Sequence, residues 1–120
     1  MATPPTSVSA QLKEQALERV GQTLPGDWTL DKLIGFGGAA AVYEASKGVQ
    51  QVAIKIMHGT LMTNEILRER FAREADIGMT INHPNLMSVF DCKTLPSGEM
   101  FMTMELLEGL NVRQLSLIHI

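Results

Sequence analysis

The sequence predicts an α+β fold, a five-stranded antiparallel sheet with one main helix laid across it. Three observations carry that expectation. Runs at residues 28–34, 41–45 and 51–57 are rich in apolar residues at strand spacing, with Ser46-Lys47-Gly48 as the turn between the last two. Residues 65–79 instead repeat their inward residues at three- and four-residue steps, the period of a helix. Two further runs, 86–91 and 100–106, flank Leu95-Pro96-Ser97-Gly98 and read as a hairpin. Three strands, one helix and two strands follow in that order.

Each element has its own local reason. Residues 1–9 read as a flexible leader, and Ser9 as the N-cap of a short helix over 10–20 that Gly21 ends. Leu12, Ala16, Leu17 and Val20 share one face of it, and a solvated helix is expected rather than a docked one. Leu24-Pro25-Gly26-Asp27 is a turn, so residues 1–24 form the leader and the domain proper starts near Trp28. Asn64 caps the main helix. Pro84 biases His83 away from helical backbone, which makes His83-Pro84-Asn85 a tight connection.

At 120 residues, 45% hydrophobic and a net charge of −3, the chain has the size and balance of one small domain. No basic patch calls for a nucleic-acid partner. Cys92 is the one cysteine, which suits a reducing compartment, and His58, His83 and His119 lack metal-ligand spacing, so no metal is assigned to this chain. No apolar run approaches the roughly 20 residues that span a membrane, and the polar N-terminus lacks a signal-peptide core. A cytoplasmic location is expected.

Three features carry chemistry. The turn Ile34-Gly35-Phe36-Gly37-Gly38-Ala39-Ala40-Ala41-Val42 matches a glycine pattern also found in dinucleotide-binding turns. Such turns need a helix directly after them and an acidic residue about 20 positions on. Here that position holds Lys55, and no room is left for a crossover helix. Two readings stay open for the turn alone: a tight hairpin, or small residues that let backbone N–H groups approach phosphates.

Lys55 shares its strand face with Ala53 and Met57, while Val52, Ile54 and Ile56 take the other. A lysine there either snorkels outward or meets an anion. Ala53 is small enough for a flat ring to lie against it, and Val42 on the neighbouring strand could roof the same ring. Leu67, Phe71, Glu74, Ala75 and Gly78 form the inward stripe of the main helix. Glu74 therefore needs a partner. Arg70 at i−4 is the surface option; given Lys55 and the glycine turn, a buried pair with Lys55 is expected.

In combination these residues resemble the small lobe of a protein kinase, of the Ser/Thr type found in bacteria, over residues 28–114. Kinases carry a Gly-x-Gly-x-x-Gly-x-Val loop over the ATP phosphates and a Val-Ala-Ile-Lys strand whose lysine pairs with a helix glutamate. Gly35, Gly37, Val42, Lys55 and Glu74 match those positions, and Asn82-His83-Pro84-Asn85-Leu86 is similar to the connection after the helix. The resemblance implies ATP as cofactor, with the loop residues Ile34, Gly35, Phe36, Gly37, Gly38, Ala39 and Ala40 over its triphosphate. It further implies that Met104 backs the adenine pocket, while the Glu105 carbonyl and Leu107 amide bind the ring. Ala40 stands at the usual third glycine; because alanine disfavours positive φ, a stiffer loop or weaker ATP binding is expected.

Phosphoryl transfer also needs a catalytic Asp, an Asn and a metal-binding Asp, which kinases take from His-Arg-Asp and Asp-Phe-Gly segments of a large lobe. These 120 residues contain neither segment. The chain by itself is therefore expected to be inactive, with Mg²⁺ ligands and protein-substrate contacts in a missing large lobe, and to expose apolar surface. A membrane anchor or sensor domain, common downstream in such kinases, would lie outside it. Residues 115–120, Leu-Ser-Leu-Ile-His-Ile, resemble translated sequencing-adapter DNA and are expected to be non-native; the resemblance implies that 25–114 is a partial kinase domain. The alternative function is a non-catalytic interaction module, either a pseudokinase or a free-standing small lobe.

Overall fold

The structure, a computed structural model, describes residues 8–81 and 88–106. Helix α1 (Val8–Glu18) precedes strands β1 (Thr23–Leu24), β2 (Trp28–Phe36), β3 (Ala40–Lys47) and β4 (Gln50–Met57). A 3₁₀ turn (Gly59–Leu61) leads to α2 (Glu65–Thr80), and β5 (Val89–Thr94) and β6 (Met100–Met104) follow. The strands form one sheet in the order β1-β2-β3-β4-β6-β5, and every neighbouring pair is antiparallel. The α+β architecture is therefore the expected one, with six strands where five were expected.

The extra strand is β1. Pro25 and Gly26 turn the chain so that Leu24 faces Trp28 in the ladder, and the Asp27 N–H donates to the Leu24 carbonyl at 3.0 Å. Gly26 at φ 96° meets the positive φ of a Pro-Gly type II turn, and Asp27 follows at φ 67°. Leu24 is buried in the core, ahead of the expected start of the domain.

Helix α1 differs from expectation in two ways. It begins at Val8, which puts Ser9 inside the helix rather than at its cap. It is also docked. Ala16 is buried and its carbonyl accepts a hydrogen bond from the Tyr43 hydroxyl at 2.6 Å. Just beyond the helix, Arg19 pairs with Glu99 at 2.8 Å and the Gly21 N–H donates to the Leu30 carbonyl at 2.7 Å. Leu17 and Val20, assigned to the inward face, are 51% and 38% exposed. Polar and backbone anchors hold this helix, so its apolar pattern understated the contact.

The sheet separates two apolar layers. Val52, Ile54 and Ile56 join Leu30, Tyr43 and Phe101 on one face, as period two requires. Ala53 and Met57 join Val42, Met102, Met104 and the α2 residues Phe71 and Ala75 on the other. Asn64 caps α2 as expected, its side chain accepting from the Leu67 N–H at 3.2 Å. At the second hairpin the Leu95 N–H donates to the Glu99 carbonyl and the Gly98 N–H to the Leu95 carbonyl, each at 2.8 Å. Strand β5 runs later than expected, to Thr94, because its residues from Asp91 on pair with β6 up to the turn. The connection at 82–86, Leu107 and the tail at 115–120 lie outside the described residues.

Candidate functional site

Lys55 is fixed by its strand. β4 lies inside the sheet, where Lys55 pairs with Val42 of β3 on one side and Met102 of β6 on the other. Its side chain is 2% exposed, and Nζ lies 3.0 Å from Glu74 Oε2 and 5.8 Å from the centre of the Phe71 ring. Glu74 thus pairs with Lys55 and not with Arg70. Its side chain is 27% exposed, so the pair is dry at the lysine end and partly wet at the other. Burial pushes the Lys55 ammonium below its ordinary value, and the hydrogen bond and charge of Glu74 pull it back.

A cavity of ≈ 460 Å³ opens over this pair. Ala39 of the glycine turn borders it on one side, Met57 of β4 on another, and Leu67, Arg70 and Phe71 of α2 on the third. Sheet, turn and helix therefore converge on one buried cation. A second hollow of ≈ 500 Å³ lies among Trp28, Val52, Phe90 and Phe101. The charged residues at its edge, Asp91 and Lys93, pair with each other at the surface, and no buried charge among the described residues lines it.

The glycine turn is a hairpin end. Gly35 pairs with Val42 and Phe36 with Ala41, and the Gly37 N–H donates to the Ala40 carbonyl at 3.0 Å. Gly38 is exposed at the tip, and a Cβ added there meets nothing within 4 Å. Ala40 is fully buried at the head of β3, paired with Met57. Asp27 is the one non-glycine residue with positive φ among the described residues, so the methyl of Ala40 carries no backbone penalty. The positive φ that alanine disfavours is therefore not required at Ala40.

Ile34, Val42, Ala53 and Met104 come together on the α2 side of the sheet, with Leu106 packed against them. Val42 and Ala53 are fully buried. Glu105 is half-buried, and its N–H donates to the Ser88 carbonyl at 2.9 Å. Among the described residues no group of three or more His, Cys, Asp or Glu side chains could hold a metal ion, and no helix is long and apolar enough to cross a membrane.

The sequence reading missed His58. It is buried, its Nε2 lies 2.7 Å from the Gly37 carbonyl oxygen, and its own N–H donates to the Ala39 carbonyl at 3.0 Å. Its ring packs on Phe36 with centres 5.1 Å apart. The signal was positional: a histidine directly after β4 sits opposite a turn that the antiparallel register folds back onto that strand.

No family model matches the chain. It is 34% identical over 100 residues to the serine/threonine-protein kinase pkn3 of Myxococcus xanthus, a match covering 82% of this chain and 18% of that protein. It is 37% identical over 93 residues to the serine/threonine-protein kinase PknH of Mycobacterium tuberculosis, covering 76% and 14%. The DNA damage-responsive serine/threonine-protein kinase RqkA of Deinococcus radiodurans is 39% identical over 92 residues, covering 74% and 14%. The chain therefore spans less than a fifth of the length of these relatives. In fold it is similar to the kinase domain of Mycobacterium tuberculosis PknI, with a TM-score of 0.62 at 23% identity over 79% of this chain and 38% of that one. With relatives of this kind along most of its length and a small-lobe fold, the chain belongs to the bacterial Ser/Thr protein kinase family and matches a part of the kinase domain.

Proposed function

We propose that this chain is the ATP-binding part of a kinase that transfers the γ-phosphoryl group of ATP to protein hydroxyls. One observation carries the reading: Lys55 is buried at the floor of the cavity beside the glycine turn, with the Glu74 carboxylate on its ammonium. A buried ammonium costs several kcal/mol unless it is paired, and a hydrophobic pair of equal volume stabilises a core at least as well. Its retention beside a cavity fits an anionic ligand better than a structural role.

In this reading Lys55 holds the phosphates and Glu74 keeps its ammonium aimed. The turn residues Ile34, Gly35, Phe36, Gly37, Gly38, Ala39 and Ala40 cover the triphosphate through their backbone. Val42, Ala53 and Met104 bound the adenine, whose backbone partners are the Glu105 carbonyl and the Leu107 amide. ATP supplies the group to be transferred. The residues that accept the hydroxyl proton, ligate Mg²⁺ and bind protein substrate belong to a large lobe beyond residues 25–114, residues 115–120 are non-native, and the setting is cytoplasmic.

The test is calorimetric titration of the chain with Mg·ATP, alongside Lys55→Met. Saturable binding that weakens about 10- to 100-fold in the variant, the worth of a hydrogen bond to a charged group, supports the reading. Equal binding by both proteins sinks the assignment of Lys55.

A further inference from the structure

We propose that His58 is a positioning residue for ATP: by holding the Gly37 carbonyl it aims the Gly38 N–H at the cavity over Lys55. The inference rests on reading that cavity as the phosphate site.

A trans peptide is planar, so the carbonyl of Gly37 and the N–H of Gly38 point in opposite directions across the same plane. The Gly37 oxygen is committed to His58 Nε2 at 2.7 Å. That commitment sends the Gly38 N–H away from His58. By strand alternation Lys55 and Met57 project to one face of β4, and the ring following them projects to the other. There it meets Phe36, which packs with the apolar layer of Ile54 and Ile56. Away from His58 is therefore toward Lys55 and Ala39, the side on which the cavity opens.

The rest of the turn agrees. The Gly37 N–H is taken by the Ala40 carbonyl, and the Ala39 carbonyl by the His58 N–H. Two of the turn's carbonyls are thus tied to one residue. Without such a tie, peptides flanked by Gly37 and Gly38 rotate cheaply, since glycine has access to both signs of φ. An anion would have to select one orientation and bear the entropy of doing so. His58 fixes it beforehand. A carbonyl can only accept, so Nε2 carries the proton, and it does so in the Nε2–H tautomer and in the imidazolium alike.

Two measurements test this on the 120-residue chain. The first is nitrogen NMR of the His58 ring. A proton on Nε2 is the expected result, and a dominant Nδ1–H tautomer overturns the proposal without reference to any ligand. The second is titration of the wild type, His58→Phe and His58→Gln with Mg·ATP and with adenosine, each protein's thermal unfolding being recorded in parallel. Phenylalanine keeps the packing on Phe36 but has no donor. It is expected to weaken Mg·ATP about tenfold while leaving adenosine unchanged. Glutamine places an amide nitrogen near the position of Nε2 and is expected to restore most of the loss. Equal Mg·ATP affinity of wild type and His58→Phe, or parallel losses for ATP and adenosine, overturns the role of His58 alone. Absence of Mg·ATP binding in the wild type overturns the phosphate reading and this inference with it.

Discussion

Tyr43 offers the sharpest test of how α1 is held. It is the only tyrosine in the chain, it is fully buried, and its hydroxyl donates to the Ala16 carbonyl at 2.6 Å. Burial pushes its phenol up from 10.0 to about 12, against a smaller opposing pull from the Arg19 charge. A folded value above the unfolded one means that the folded state keeps the proton longer. The resulting stability is fully present below about pH 10 and is lost as pH rises through about 12. The difference is about two units, or on the order of 3 kcal/mol at about 1.4 kcal/mol each. Tyr43→Phe removes that loss. It also lowers stability at neutral pH by about 1 kcal/mol, the net value of one buried hydrogen bond. The assay is urea unfolding of both proteins from pH 8 to pH 12, followed by the fluorescence of Trp28, with tyrosinate absorbance recorded separately. Other alkaline titrations cancel in the difference between the two proteins. A tyrosinate transition near 10.0 in the folded chain, or a wild-type-minus-variant difference that stays flat, would refute the docking of α1 through Tyr43.

Glu74→Gln is expected to cost about 3 kcal/mol in the same urea assay, because it strips the counter-charge from a lysine that is 2% exposed. Adding Lys55→Met to Glu74→Gln recovers most of that loss, and a double variant as unstable as the single one contradicts the pairing. Since burial sets the folded Lys55 below its ordinary value, the unfolded chain binds that proton more tightly. Lys55 therefore adds stability as pH climbs toward about 10.5, a slope that Lys55→Met abolishes. Asn64→Ala removes the acceptor for the Leu67 N–H and is expected to cost about 1 kcal/mol in thermal unfolding. Gly98→Ala, at φ 104° and with its Cβ driven into Met62, is expected to cost more than about 1 kcal/mol. Gly38→Ala, where nothing lies within 4 Å, is expected to stay within about 0.5 kcal/mol of wild type.

The parts of this fold that were legible in the sequence obey local rules. Strand β4 alternates its side chains between the two apolar layers, α2 has a helical stripe and an Asn64 cap, and both end at residues close to those expected. The pairing of Lys55 with Glu74 was readable for the same reason. A charged residue on an otherwise apolar stripe must find an opposite charge, and the one on the facing strand was in reach. What escaped was held by partners remote in sequence. Strand β1 has two residues, too few for any period, and exists because Leu24 can pair across a three-residue turn. The docking of α1 depends on a hydroxyl 27 positions away and on a carboxylate 80 positions away. His58 reaches across 21 positions to a backbone oxygen, which no side-chain pattern records. For Ala40 the glycine pattern suggested a positive φ, and the register shows why there is none: the residue is already a strand residue.

The two halves of the Lys55–Glu74 pair are not held equally firmly. Lys55 rides on a strand with a ladder on each side, so moving its Cα means breaking two sets of backbone hydrogen bonds. Glu74 rides on α2, whose buried residues are Phe71 and Ala75. Burying those two side chains stabilises the position of the helix by about 3–4 kcal/mol, before any cost of ordering the connections at its ends. That is close to what the ion pair itself is asked to supply. A push on α2 of a few kcal/mol is enough to withdraw the carboxylate, while the same push leaves the lysine and the glycine turn where the sheet and His58 hold them. Loss of the pair therefore displaces Glu74 rather than Lys55, which its two ladders keep in place.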